Sequence, residues 1–425
     1  FLYTSLNLFI LVSLKSHCTA TSASASASTS SRDTNTNIIM CSTTEMPSKK
    51  AKTGIAASIA RPNILALQPY RCARDDYDEG ILLDANENAM GPTSLPTNSL
   101  SNNDNHLELE RYPCPYQVPL KEAYAKYRAG DKCTLQHNNV FVGVGSDEAI
   151  DLLMRIFCKP GVDSIMTTPP TYGMYKVSAN VNDVNIVQVP LTEDFSLRIP
   201  EMLEAVTDNV KLMFVCSPGN PTCKAIPLSD IKTLAESSYR GIIVVDEAYV
   251  DFSTEESAVQ LIESYPNIVV LQTLSKAFGL AGIRCGFALG YPDVIQLMNN
   301  VKAPYNVNKL TSEVALNAMK NIPHLEKNIR TLLDQRELVA KELDTLDFVV
   351  KVYPSDSNFL LVRLKQLSKE IYKVMADKGI VVRYRGSEMH CEECLRMTIG
   401  TEEENKACID MLKTTYNELS GSKTE

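Results

Sequence analysis

Three polar residues stand just beyond three apolar runs in this 425-residue chain. Residues 211–216 (KLMFVC) lead into SPGNP and Asn220, 241–245 (GIIVV) into Asp246, and 267–271 (NIVVL) into QTLS and Lys276. Runs of this kind suit parallel strands buried on both faces, and ligands of open α/β sheets bind beyond the carboxyl ends of such strands. An amide, a carboxylate and an amine therefore converge on one rim. Singly each has an ordinary reading, since Pro-Gly-Asn-Pro makes a turn and an aspartate after a strand caps a helix. The same pattern three times over is what points to chemistry.

Other residues suit an anion. Residues 140–144 (VFVGV) read as a strand running into Gly145, Ser146 and Asp147, where a helix begins with Ser146 as its N-cap. Free amides and the helix dipole favour an anion there. Asp147 is expected to offer its amide while its side chain points away. Arg383 (in VVRYR) and Arg396 (in CLRMTIG) lie in short apolar runs, where an unpaired guanidinium is costly. That implies an anionic partner, either a ligand or, for Arg383 especially, a structural acidic residue. Cys391 and Cys394, with His390, have metal-like spacing, but no second Cys/His pair lies nearby, so no metal site is expected.

The elements that must hold these residues alternate. Besides the runs above, 164–167 reads as a strand, and 293–301 and 325–346 as helices. Beyond residue 348 come shorter strands (359–364, 379–383, 395–399) among helical stretches. This predicts an α/β fold: a large three-layer domain with a mainly parallel central sheet, then a smaller α+β C-terminal domain. The expected division is a leader over 1–59, an arm over 60–90, a large domain over 91–305 and a small one over 306–420. The net charge of −9 argues against a nucleic-acid-binding face, and no stretch has the roughly 20 apolar residues of a membrane span. The 12 cysteines lack the spacing of a disulfide framework and fit a reducing compartment. Residues 19–31 are almost all Ser, Thr and Ala, and the first 60 positions carry Lys15, Arg32, Lys49, Lys50 and Lys52 against only Asp33 and Glu45. This composition fits a transit region for plastid or mitochondrion; the alternative is upstream translation with a start at Met40 or Met46 and a cytoplasmic protein.

Taken in order, LDANENAMG (83–91), Arg111-Tyr112-Pro113, VGSDE (144–148), PTYGMY (170–175), SPGNPT (217–222), VDEAY (245–249), TLSKAFGLAGIRCG (273–286) and CLRMTIGT (394–401) resemble the pyridoxal-phosphate-dependent aminotransferases of the aspartate-aminotransferase fold. Within them the chain resembles the histidinol-phosphate aminotransferases over about residues 60–420. The resemblance implies fold type I and pyridoxal 5'-phosphate as cofactor. It makes Lys276 the Schiff-base lysine and Asp246 the partner of the pyridinium nitrogen. Asn220 and Tyr249 become donors to the phenolic oxygen, and Tyr172 a stacking partner of the ring. It gives the cofactor phosphate to Ser146, Asp147, Thr273, Ser275 and Arg284, and to Tyr112 from the other subunit of a homodimer. Arg396, Arg383 and Asn86 would hold the substrate. A tyrosine common in the family shortly after the Asn-Glu pair is replaced here by Asn88-Ala89-Met90.

The implied reaction exchanges histidinol phosphate and 2-oxoglutarate for imidazole acetol phosphate and glutamate, in histidine biosynthesis. Other readings of the same segments are an aromatic amino-acid aminotransferase and a threonine-phosphate-type decarboxylase. No nucleic-acid or membrane partner is expected.

Overall fold

The computed structural model describes residues 54–68, 85 and 107–421. Asn86 therefore lies outside the described residues.

The larger sheet has seven strands: β1 (Val140–Val144), β2 (Ser164–Thr167), β3 (Asn185–Gln188), β4 (Val210–Cys216), β5 (Ile242–Asp246), β6 (Ile268–Thr273) and β7 (Cys285–Gly290). Their order is β1-β7-β6-β5-β4-β2-β3. All neighbours from β3 across to β6 run parallel, and β7 alone is antiparallel to both its neighbours. The unbroken apolar runs reflect a sheet with a core on each face. On β5, Ile243 and Val245 join one core and Ile242 and Val244 the other. Each such side chain contributes about 2 kcal/mol on burial, enough together to hold a carboxylate at the strand's end out of water.

The second sheet is antiparallel throughout: β8 (Val349–Val352), β9 (Phe359–Leu364), β10 (Arg383–Tyr384) and β11 (Cys394–Thr398), in the order β10-β11-β9-β8. Its alternation divides its faces. Leu360, Val362, Leu395 and Met397 pack in a core shared with the helices Ile322–Asp344, Ser368–Asp377 and Glu402–Gly421. Phe359, Leu361 and Cys394 face the opposite way, in a cluster with Tyr249, Phe252 and Ala277 that joins the two sheets' layers. Arg396 follows Cys394 by two residues and so shares its face. The helix Lys309–Met319 packs with the larger sheet, placing Ala315 in that sheet's core beside Val307.

The strands expected at 140–144, 164–167 and 359–364 form with those bounds. Of 379–383, only Arg383 pairs, together with Tyr384 just beyond that range. Gly379 has φ +95° and closes the preceding helix, and Val381 is left 74% exposed on the way to the sheet edge. Strands β3, β7 and β8 had no expectation: β3 and β8 are four residues each, and β7 (CGFALG) carries two glycines. The helix expected to start with Ser146 as cap instead has Val144 as N-cap, with no side-chain cap bond. Glu148 takes over the duty from inside the first turn, its Oε2 accepting from the Val144 amide at 2.6 Å.

Candidate active site

A cavity of about 1020 Å³ opens at the carboxyl ends of β4, β5 and β6. Its walls bring together Ser146, Asp147, Tyr172, Asn220, Asp246, Tyr249, Thr273, Ser275, Lys276, Arg284, Arg383 and Arg396. Tyr112 is not among them; it is 52% exposed and stacks on Tyr305 with ring centroids 4.6 Å apart.

Asp246 ends β5 and is buried. Its Oδ2 accepts from the Tyr175 hydroxyl at 2.7 Å and its Oδ1 from the Ala248 amide at 3.2 Å. Burial pushes its carboxyl up to about 6, against the pull of those two donors. Glu247 faces away into a structural network, accepting from Ser257 Oγ and the Ala258 amide at 2.6 Å each and from Gln272 Nε2 at 2.8 Å. Lys276 sits with its Nζ 5.3 Å from the Tyr249 ring centroid. Burial, and then the Arg396 charge, lower its ammonium below the usual lysine value. Burial likewise raises the Tyr249 phenol above its usual value.

At one end of the cavity the helix Gly145–Phe157 begins. Gly145 has φ +73°, and a Cβ there would lie 2.8 Å from Arg284 NH2. Only glycine admits both the turn and the guanidinium. Arg284 itself has φ +51° just ahead of β7, a left-handed conformation that costs a non-glycine residue and aims it back over the rim. Its NH1 donates to Ser275 Oγ at 3.5 Å, and Thr273 Oγ1 donates to the same oxygen at 2.9 Å. The Asp147 side chain does not point away as expected. Its Oδ1 accepts from the Tyr172 hydroxyl at 3.1 Å, and its Oδ2 lies 3.4 Å from Arg284 NH2. A guanidinium and a phenol both facing the helix start attract the nearest carboxylate.

On the other side, Arg383 and Arg396 are direct cross-strand partners on β10 and β11. Like charges so placed destabilise a sheet unless something answers them. Arg396 NH1 donates to Asn220 Oδ1 at 2.6 Å, and its guanidinium lies 5.2 Å from the Phe359 ring centroid. Arg383 is exposed, so the cost of burial inferred for it does not apply; what distinguishes it is its position facing the cavity.

The family model for aminotransferase class I and II matches residues 78–412. The chain belongs to that family. It is 46% identical to the histidinol-phosphate aminotransferase of Candida maltosa, over 85% of this chain and 98% of that one. The histidinol-phosphate aminotransferase of Sinorhizobium meliloti, solved in complex with pyridoxal-5'-phosphate, superposes with a TM-score of 0.65 at 21% identity, covering 80% of this chain and 90% of that one. L-threonine-O-3-phosphate decarboxylase of Porphyromonas gingivalis superposes with a TM-score of 0.62 at 23% identity, covering 74% of this chain and 96% of that one. At those identities the superpositions speak for the fold alone.

The residues of this aminotransferase fit pyridoxal phosphate. The Gly145 cradle, with first-turn amides, two hydroxyls and Arg284, has the donors a phosphate monoester needs. The buried carboxylate of Asp246 suits a ring N–H⁺, and Lys276 supplies the amine. Three residues had no expected role. Tyr175, wholly buried, is Asp246's hydroxyl donor; it lies in the PTYGMY segment three residues past Tyr172, and only its position at a helix start could have signalled it. Arg385 and Glu388 also line the cavity. Arg385 stands just past the end of β10, its amide bonded to the Cys394 carbonyl at 2.9 Å.

Proposed function

We propose that this chain catalyses amino-group transfer from histidinol phosphate to 2-oxoglutarate, giving imidazole acetol phosphate and glutamate in histidine biosynthesis. The observation that carries this is 46% identity to a histidinol-phosphate aminotransferase across 98% of that protein's length. Convergence of Lys276, Asp246, Asn220, Tyr249 and Arg284 on one cavity supports it.

When bound, pyridoxal phosphate supplies an aldehyde for the donor's amino group and a ring that draws electrons from the substrate's α-carbon. Lys276 would hold the cofactor through its amine, and as a free amine it would move the proton from the substrate's α-carbon to C4′. The lowered basicity of its buried ammonium favours the free amine this requires. Asp246 keeps a proton on the ring nitrogen, and Tyr175 and Ala248 fix its orientation. The Asn220 amide NH₂ and the Tyr249 hydroxyl donate to the ring's phenolic oxygen; Arg396, by occupying Asn220 Oδ1, sets which end of that amide faces it. Tyr172 stacks on the ring. Ser146, Asp147, Thr273, Ser275 and Arg284 anchor the phosphate, with Arg284 drawn from Asp147 towards it. Arg396 and Arg383 would hold the substrate's anionic group, with Asn86 as a further substrate contact.

The working assembly in this reading is a homodimer in which Tyr112 reaches the phosphate of the partner subunit's cofactor. Its exposure and its place outside its own chain's cavity support this. Among the described residues no helix is long and apolar enough to cross a membrane. The acid-poor stretch before residue 60 supports plastid or mitochondrial import; cytoplasmic fluorescence from a fusion to residues 1–59 would reject that.

The test is a half-reaction. Mixed with histidinol phosphate and no keto acid, the cofactor-loaded protein is expected to lose its visible absorbance and release imidazole acetol phosphate. A response to phenylalanine or tyrosine instead would overturn the substrate. Carbon dioxide from threonine phosphate, with no transfer to any keto acid, would overturn the reaction.

A further inference from the structure

A transaminase must admit two substrates to one cavity in turn. On the reading above, both carry an anion that Arg396 and Arg383 can hold, but their other ends differ. One is an imidazole, which offers an N–H. The other is a second carboxylate, which needs donors. A wall of one charge would favour one substrate and repel the other.

We propose that Arg385 and Glu388 form a separable ion pair that sets specificity at this variable end, Glu388 accepting from the imidazole of one substrate and Arg385 donating to the distal carboxylate of the other. This rests on the transaminase reading. Both residues line the cavity, and Arg385 NH1 lies 2.8 Å from Glu388 Oε1. Their side chains are 20% and 25% exposed, so neither is sealed from the solvent-filled cavity it lines. The backbone beneath them is fixed: the Arg385 amide donates to the Cys394 carbonyl and the Glu388 amide to the Arg385 carbonyl, each at 2.9 Å. The pair can therefore open at its side chains while the strand edge stays in place.

The other carboxylates in the cavity wall are otherwise engaged, Asp147 with Tyr172 and Arg284, and Asp246 with Tyr175. Glu388 is the one held only by a residue of its own turn. Burial, and then the Arg385 charge, lower the basicity of Arg396, which places Arg385 within electrostatic reach of that residue.

The experiment follows each half-reaction separately with cofactor-loaded protein, reading the half-saturating concentration and the limiting rate. Glu388→Gln is expected to raise the half-saturating histidinol phosphate by about tenfold and leave 2-oxoglutarate unchanged or improved. Arg385→Gln is expected to do the reverse, weakening 2-oxoglutarate by about tenfold with a much smaller effect on histidinol phosphate. Glu388→Asp, which keeps the charged carboxylate, should restore most of the donor affinity, and melting temperatures should stay near the parent's. Equal shifts for both substrates in either variant, or no shift in either, would overturn the proposal. A parent protein that gives no half-reaction with histidinol phosphate would instead overturn the transaminase reading on which it rests, a result no variant can mimic.

Discussion

The two sides of the cavity are built on different principles. On the larger sheet's side the charged group is buried, its partners are neutral donors, and the strands beneath it are wholly enclosed: Asp246 sits under Tyr175 at the end of a run exposed by 1% at most. On the smaller sheet's side, two guanidiniums face each other across a strand pair whose outer member is two residues long, a third follows just past that strand's end, and among the described residues only Glu388 forms an ion pair with any of them. The first arrangement fixes one group in one place, as a resident cofactor demands. The second keeps charge available at an edge that can adjust, as exchange of substrates demands. The floor should therefore answer mutation in rate and in its own pH response, and the wall in affinity.

The largest effect should come from the floor. Lys276→Ala is expected to cut turnover by about 10⁴-fold and remove the visible absorbance of bound cofactor, with the fold intact by circular dichroism. Retained absorbance would dislodge Lys276 from its role.

Asp246→Asn should lower turnover by about a hundredfold or more, yet stabilise the cofactor-free protein. The sign follows from the raised carboxyl. A folded-state value near 6 against an ordinary 3.8 means that the folded protein holds its proton longer than the unfolded chain, so stability falls as pH rises from about 4 to 6. The penalty approaches 3 kcal/mol, whereas asparagine forfeits one amide hydrogen bond worth about 1 kcal/mol. Cofactor-free Asp246→Asn should thus melt above the parent at pH 7.5, and the gap should close towards pH 4. A gap independent of pH would show that burial does not perturb this carboxyl.

On the wall, Arg396→Gln should weaken substrate binding by about 10- to 100-fold while cofactor retention and melting temperature change little. If cofactor loss exceeds substrate loss, the two sides are not separate, and the link through Asn220 is the stronger function of this arginine. The smallest effect should be that of Tyr175→Phe, about tenfold or less in rate, with the acid limb of the pH profile moved upward because a donor that lowers the Asp246 carboxyl is gone. An unmoved limb would make Tyr175 a packing residue.

The same contrast explains what could be read without coordinates. The floor's residues follow unbroken apolar runs, and burial on both faces of a parallel sheet leaves that signature directly in the chain, so Asn220, Asp246 and Lys276 stood out. Side-chain direction did not. Asp147 turned inward because of an arginine 137 positions away, and Ser146 yielded its cap to a glutamate two residues on. The wall was harder. Arg383 and Arg396 were visible as charges in apolar strands, but which groups they face depends on a cross-strand register that no local pattern encodes. Glu388 lies in a turn, where polarity is ordinary and carries no signal.

One consequence follows from the lone antiparallel strand. Because β7 runs back alongside β6, with Thr273 opposite Gly286, Lys276 and Arg284 occupy a single hairpin connection at one rim. A parallel β7 would have put its leading residue at the opposite edge of the sheet. On the proposed function, the two handles for the far ends of one ligand, amine and guanidinium, are thus mounted on one bracket. Whatever shifts that bracket moves both side chains at once.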